Sequence, residues 1–383
     1  MIKMITAFTT EADIAEVAIK DIHRKIDASR LKAHTAAIIE CHAEFVDTGV
    51  MEAVCKSLPF ETVGITCSLP AVTGTSSQLA LTVTVLTSDE CEFKVLSFEA
   101  DEASKVAENC YETALKFAEG GRTPALVLSY VSFMSFVSGD VLVNSFSKGL
   151  PGVPVFGSLP ITDEADYSRS FTIHNGKHTE IGAVYVGIYG NIKPTFKCSS
   201  LRTGTVYRTS GLIEKAEQTY IYTIDGMNAL DYVVAKGIAT HETYENVILQ
   251  PLVLTYSDGS VIMRNCLNID TEKRAIVLSG DAHPGAVVDF ALIKAEDIRA
   301  SAAEIANEIA YITKEASVVL LYSCATRLWQ LGTATTDEIN IISEKLGKKA
   351  YSFAYSGGEI YPVSVDGKYI NTFQNNNLCV CII

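Results

Sequence analysis

The strongest constraint on the fold is a pattern that the chain carries three times. An apolar run leads into a helical segment, and a second apolar run then ends in a small, polar or glycine-bearing turn. The first copy opens with Ala36-Ala37-Ile38-Ile39-Glu40-Cys41. Its helical segment, residues 49–57, brings Val50 and Val54, then Leu58, to helical spacing, and its second run, residues 62–67, closes in Ser68-Leu69-Pro70. The second copy opens at residues 125–130, has its helix at 139–148 with Gly149 as the stop, and closes in Gly157-Ser158-Leu159-Pro160. The third opens with Val318-Val319-Leu320-Leu321-Tyr322-Ser323-Cys324. Its helix, 336–346, starts with Asp337 and Glu338 at the positive end of the helix dipole and stops at Gly347. Its second run, 350–355, closes in Ser356-Gly357-Gly358-Glu359.

A strand, a crossover helix and a second strand describe a right-handed parallel βαβ unit. Ligands of such units bind beyond the carboxyl ends of the strands. The three turns fall there. Turns are rich in Gly, Ser and Pro for conformational reasons as well, so the coincidence marks a place and leaves the ligand open.

The remaining segments read as antiparallel strands and outer helices. Residues 78–87 alternate as a strand. Residues 171–174 and 181–189 read as a hairpin about Asn175-Gly176, and 247–293 as a meander with a turn at Asp258-Gly259. Helices without strands are expected at 10–26, 101–118 and 297–314. A chain of 383 residues predicts two domains. The polar stretch 193–219 divides them, giving 1–200 and 201–383. The fold class is α/β, with two pseudo-similar halves, mixed β-sheets of βαβ units and antiparallel hairpins, and helices on the outer faces.

A net charge of −14 leaves no basic stripe to neutralise phosphates, which argues against nucleic-acid and anionic-membrane partners. The most apolar stretch, 125–143, is broken by Ser129, Ser132, Ser135, Ser138, Gly139 and Asp140, so no membrane insertion is expected. Residues 1–13 have no apolar run after the lysine, which predicts no signal peptide and a cytoplasmic location. The ten cysteines lack C-x-x-C spacing and read as small buried hydrophobes. Cys379 and Cys381 alternate along one strand and share a face, where packing outweighs a metal. His23, His34, His42, His174, His178, His241 and His283 show no metal-binding helical spacing and no haem-attachment motif. Noncovalent haem needs only one axial histidine, so that cofactor stays open while none is expected.

Several motifs, in order along the chain, resemble the FIST family of sensory domains. In the N-terminal half these are residues 157–163, the stretch Phe171-Thr172-Ile173-His174-Asn175-Gly176, residues 181–190, and the turn of residues 63–68. In the C-terminal half they are Asp225-Gly226-Met227-Asn228, Arg264 in its strand, Ser323-Cys324-Ala325-Thr326-Arg327 as a Cys-x-x-Arg turn, Gly358-Glu359-Ile360, and Asn375-Asn376-Asn377-Leu378. Asn228 stands where a proline is common, and Asn377 where a threonine is usual. The resemblance implies a FIST N-terminal and a FIST C-terminal domain and a ligand-sensing role without catalysis. Small metabolites, amino acids foremost, are the ligands it suggests. Some members bind haem and respond to nitric oxide. The two halves take up the chain, so the output is expected from a separate histidine kinase, cyclase or chemoreceptor.

The chemistry of the C-terminal turns suits an amino acid. Arg327 offers a bidentate clamp for a carboxylate, Glu359 a receiver for an ammonium, and Asn375 and Asn377 amide donors and acceptors. The alternative is an internal Arg327–Glu359 ion pair. Arg264 and Cys324 join the site from the C-terminal half, and Gly157, Ser158, Asp163 and Ser68 from the N-terminal half. An enzyme using Cys324 is a further alternative, but no histidine stands near it in sequence. Ser68 and Ser158 lack the Gly-x-Ser-x-Gly form, because Pro70 and Pro160 follow.

Overall fold

In the computed structural model, which describes residues 1–132, 137–164, 167–199, 206–240, 250–313 and 316–383, the paired apolar runs of each copy lie side by side as parallel strands. His34–Cys41 pairs with Glu61–Thr66, Leu126–Val131 with Val155–Ser158, and Val319–Cys324 with Ser352–Ser356. The crossover helices are Val50–Lys56, Gly139–Gly149 and Asp337–Leu346, as the spacing predicts. The first strands are apolar almost throughout because both faces are buried. Ile38, Leu128 and Leu320 point to a shared inner core, and their neighbours Ala37, Val127 and Leu321 point outward under helices.

Each copy is part of a larger repeat. It begins with an edge strand, Lys3–Thr9, Glu92–Glu99 or Thr195–Cys198. A first helix follows, Ala15–His23, Val106–Phe117 or Ala295–Ile312. These are the helices that the sequence leaves without strands; Lys314, at the end expected for the last, lies outside the described residues. After the parallel pair comes a hairpin. A last strand, Leu81–Ser88, Gly182–Tyr189 or Leu378–Ile382, returns to lie between the edge strand and the pair. We call the repeats I, II and III, and the sheets built on their parallel pairs likewise.

The hairpins do not stay with their own sheets. The repeat I hairpin, Pro70–Val72 with Thr75–Ser76, pairs with Ser352–Ser356 in sheet III. The repeat II hairpin, Thr172–His174 with Lys177–Thr179, pairs with Glu61–Thr66 in sheet I. The repeat III hairpin, Glu359–Val365 with Lys368–Gln374, pairs with Val155–Ser158 in sheet II. The exchange is cyclic and gives three sheets of six strands. Where the chain crosses over, the turns bond to one another. The Ile161 N–H donates to Thr66 O at 3.1 Å, the Leu159 N–H to Gly358 O at 3.0 Å and the Gly357 N–H to Leu159 O at 2.8 Å.

In the inner core the Tyr130 and Tyr322 hydroxyls meet at 2.8 Å. Tyr322 also bonds to Glu40, whose Oε2 accepts from Ser352 Oγ at 2.6 Å. Burial pushes the Glu40 carboxyl pKa up and favours the neutral acid, which suits partners that, among the described residues, are the Ser352, Tyr322 and Thr82 hydroxyls.

Two expectations change. The hairpin about Asn175-Gly176 pairs Thr172–His174 with Lys177–Thr179, because a two-residue loop joins the residues directly flanking it. Gly182–Tyr189 instead crosses to sheet II. The polar stretch 193–219 contains the strands Thr195–Cys198 and Val206–Glu217, half-exposed and therefore weakly apolar. The division at 200/201 lies outside the described residues. Repeat III carries an insertion between its edge strand and first helix, a fourth sheet of eight strands packed with helix Ala229–Ala235. The expected meander forms part of it, including the Leu252–Thr255 and Val261–Arg264 pair, though residues 247–249 are not among those described. Among the described residues no helix is long and apolar enough to cross a membrane.

The exchange predicts that fragments 1–194 and 195–383 are each incomplete. Without the repeat III hairpin, Val155–Ser158 becomes an open apolar edge. Neither fragment should give a cooperative thermal transition, and mixing them should restore one. A sharp transition from either alone would show that the exchanged hairpins are dispensable.

Candidate functional site

Helix Ala325–Leu331 begins as soon as strand Val319–Cys324 ends, so Arg327 sits on a helix and not in an open turn. Its side chain points inward and is fully buried. The Nε donates to Glu338 Oε1 at 3.0 Å, Nη2 to the same carboxylate and to Ser301 Oγ at 3.0 Å, and Nη1 to Asn376 O at 3.2 Å. Ser323 Oγ donates to the other Glu338 oxygen at 2.8 Å. Among the described residues its carboxylate partner is Glu338 and not Glu359, which corrects the expected Arg327–Glu359 ion pair, because the helix turns the guanidinium under Ala295–Ile312 toward Asp337–Leu346.

Glu359 opens its strand directly opposite Ser158 and is fully buried. Among the described residues neither carboxyl oxygen has a well-directed hydrogen-bond partner. Burial pushes its pKa well above the usual carboxylate range, and the Cys324 and Cys198 thiols push the same way. Arg327 and the Asn377 N–H oppose the shift without reversing it. A carboxyl held toward its neutral form is a weaker receiver for an ammonium than an ionised one.

The asparagines bind the inserted sheet to the repeats. Asn375 Oδ1 accepts from Ser279 Oγ at 2.6 Å, and Asn376 Nδ2 donates to Asn265 Oδ1. Asn265 Nδ2 in turn reaches Cys324 Sγ at 3.3 Å and Thr326 Oγ1 at 3.2 Å. Arg264 completes the seam, donating to Asp140 Oδ2 at 2.6 Å and Phe373 O at 3.2 Å. Burial nevertheless raises the Asp140 pKa, the nearby guanidinium opposing it. Asn377 is satisfied locally, donating to Gln374 Oε1 at 3.0 Å, and its carbonyl accepts the Cys324 N–H at 3.0 Å.

Beside this seam is a cleft. Asn265, Cys324, Thr326 and Ser356 supply its polar wall, and Ile161, Tyr167 and Trp329 its apolar wall. Its free volume is about 20 Å³, room for one water. The Ser356 hydroxyl is buried there, with no hydrogen-bond partner among the described residues. No histidine is among the residues described as lining it, and His241 lies outside the described residues.

Of the residues expected from the sequence, the structure brings Cys324 to the cleft wall. Arg264, Glu359, Gly358, Asn375 and Asn377 are buried and are not among the residues described as lining it. Ser158 and Ser68 are buried in the crossing turns, and Asp163 is exposed. The glycines serve internal packing. A Cβ on Gly157 would lie 1.8 Å from Ser129 O, and one on Gly358, whose φ is +139°, would lie 2.6 Å from the Phe373 ring. Asn265, Thr326, Tyr167 and Trp329 were not expected. Trp329 is the only tryptophan and Thr326 lies inside the Cys-x-x-Arg motif, but neither carries a periodic signal that would single it out.

Compared with protein-family models, the chain matches the FIST N domain over residues 35–227 and the FIST C domain over residues 227–362. A comparison with curated proteins found no match.

The buried groups predict opposite mutational outcomes. Arg327→Ala should cost about 3–5 kcal/mol, because Glu338 is left buried and unpaired. Glu359→Gln should be tolerated near neutral pH. The folded-state pKa of Glu359 lies above its unfolded value, so the folded chain holds a proton that the unfolded chain releases. Stability therefore falls as pH rises above the ordinary carboxyl range, by up to about 1.4 kcal/mol per pH unit for each such group. Urea unfolding between about pH 5 and pH 8 should show a shallower slope for Glu359→Gln than for the parent. Parallel slopes would mean that Glu359 is ionised in the fold.

Proposed function

Because the chain belongs to the FIST family, whose domains are sensory modules of signal transduction, we propose that it senses a small, net-neutral polar metabolite, with an amino-acid zwitterion as the foremost candidate, in the cleft between the inserted sheet and repeats II and III. One observation carries the reading. Polar side chains from distant segments, Asn265, Cys324 with Thr326, and Ser356, converge on a single cleft.

The charge state of the ligand follows from what surrounds it. Arg327 is committed to Glu338, and Arg264 to Asp140. A strongly anionic ligand would find no free guanidinium among these residues. Amide and hydroxyl groups favour a molecule that carries its charges in balance, and Trp329 with Ile161 favours a compact apolar portion.

A cleft that holds one water must open to admit a metabolite. Opening separates the Asn265 wall from the Cys324–Thr326 wall and loosens the Asn265–Asn376 and Ser279–Asn375 bonds. A ligand that binds only the open form shifts the population toward it. The displaced inserted sheet is the signal, read by a separate histidine kinase, cyclase or chemoreceptor. Catalysis is not part of this reading: the side chains bonded to Cys324 are an amide and a hydroxyl, which are not proton acceptors at neutral pH.

The test is a titration with amino acids and small neutral amides, followed by thermal shift and by the fluorescence of Trp329. A ligand at about 100 times its Kd adds roughly 2.7 kcal/mol of stability. The response should disappear in the Asn265→Ala, Thr326→Val double variant. Unchanged affinity in that variant would move the site elsewhere. A response to haemin with no response to amino acids would replace this reading with a haem sensor.

A further inference from the structure

Strand Thr195–Cys198 is the edge of sheet III and runs antiparallel to Leu378–Ile382, with Cys198 directly opposite Cys379. The Ser199 N–H donates to Leu378 O at 2.9 Å. That makes Ser199–Leu378 a hydrogen-bonded position and Cys198–Cys379 the adjacent narrow one, where Cα atoms stand about 4.5 Å apart. Disulfides span Cα separations of about 4.4–6.8 Å. The two sulfurs are 3.3 Å apart, so the bond needs only small side-chain rotation. Cys198 is half-buried and Cys379 fully buried. Cys381 shares the face of Cys379, but Phe196 stands opposite it, so it has no thiol across the ladder.

From this geometry we infer that Cys198 and Cys379 form a peroxide-responsive dithiol that closes to a cross-strand disulfide. Cys198, the partly exposed residue of the pair, meets the oxidant first. Its attack on hydrogen peroxide forms an S–O bond and breaks the O–O bond, leaving a sulfenic acid and one water. The Cys379 sulfur then attacks the Cys198 sulfur. The S–S bond forms, the S–O bond breaks, and the hydroxyl leaves with the Cys379 proton as a second water. Two thiols lose two electrons in all, and one peroxide is reduced to two waters. Burial of Cys379 suits the resolving role, since it is shielded from peroxide but in contact with the one sulfur it must reach.

The experiment treats the full-length protein with increasing hydrogen peroxide, blocks remaining thiols under denaturing conditions and maps the peptides. The expected product is a cross-linked peptide containing Cys198 and Cys379, reversed by dithiothreitol, with the count of blocked thiols falling by two from ten. The cross-link should be absent in Cys198→Ser and in Cys379→Ala, and retained in Cys381→Ser. Near-ultraviolet circular dichroism checks that each variant is folded, and Cys198→Ala replaces Cys198→Ser if needed. Accumulation of Cys198 sulfinic acid with Cys379 still free would overturn the inference. So would a cross-link to any other cysteine, or thiols left intact at peroxide levels that oxidise free glutathione.

Discussion

A parallel pair of strands ends in an open edge, and an open apolar edge must be covered. Each repeat of this protein leaves that edge for another repeat to close. The cyclic transfer of hairpins sets the directions in which the three turns leave their sheets, brings those turns into mutual hydrogen bonding, and packs three inner faces onto one core. Tyr130, Tyr322 and Glu40 belong to that core because each lies on an inner-facing position of a first strand. Since the pairings join residues far apart in sequence, their loop-closure cost falls before the sheets are complete, which favours slow, concerted folding.

The interior is nearly neutral although the chain carries a large negative charge. Glu40 and Glu359 have pKa values raised by burial, and Asp140 is paired with Arg264. Glu338 is balanced by a fully buried guanidinium. The acidic excess therefore belongs to the surface, where solvent screens it. Buried carboxyls without cations are tolerated when hydroxyls surround them, as around Glu40. Glu359 lacks that company, and it lies beside the cleft wall.

The parallel pairs and their crossover helices were readable in the sequence because strands buried on both faces write unbroken apolar runs. The hairpin exchange was not. Its strands are as short as two or three residues, and their partners lie in other repeats. Arg327 was identified but its partner was not, since Glu338 looks like an ordinary acid at a helix N-terminus until the helix between strand and crossover is seen. Asn265 and Thr326 carry no period or charge to distinguish them. The cysteine pair was half visible: the shared face of Cys379 and Cys381 follows from alternation, whereas Cys198 comes beside them only through a sheet edge 181 positions away in sequence.

The insertion in repeat III has a consequence for diversification. The inserted sheet lies over the junction where Asn265 meets Cys324 and Ser356. On the proposed reading recognition would reside in an appendage, whereas the strand exchange that closes the fold belongs to the repeats. Substitutions along the 265–267 segment would change the wall of the cleft while leaving the interlocked frame beneath untouched. If the cleft is the sensing site, a lineage built on this plan could change its ligand without rebuilding the frame.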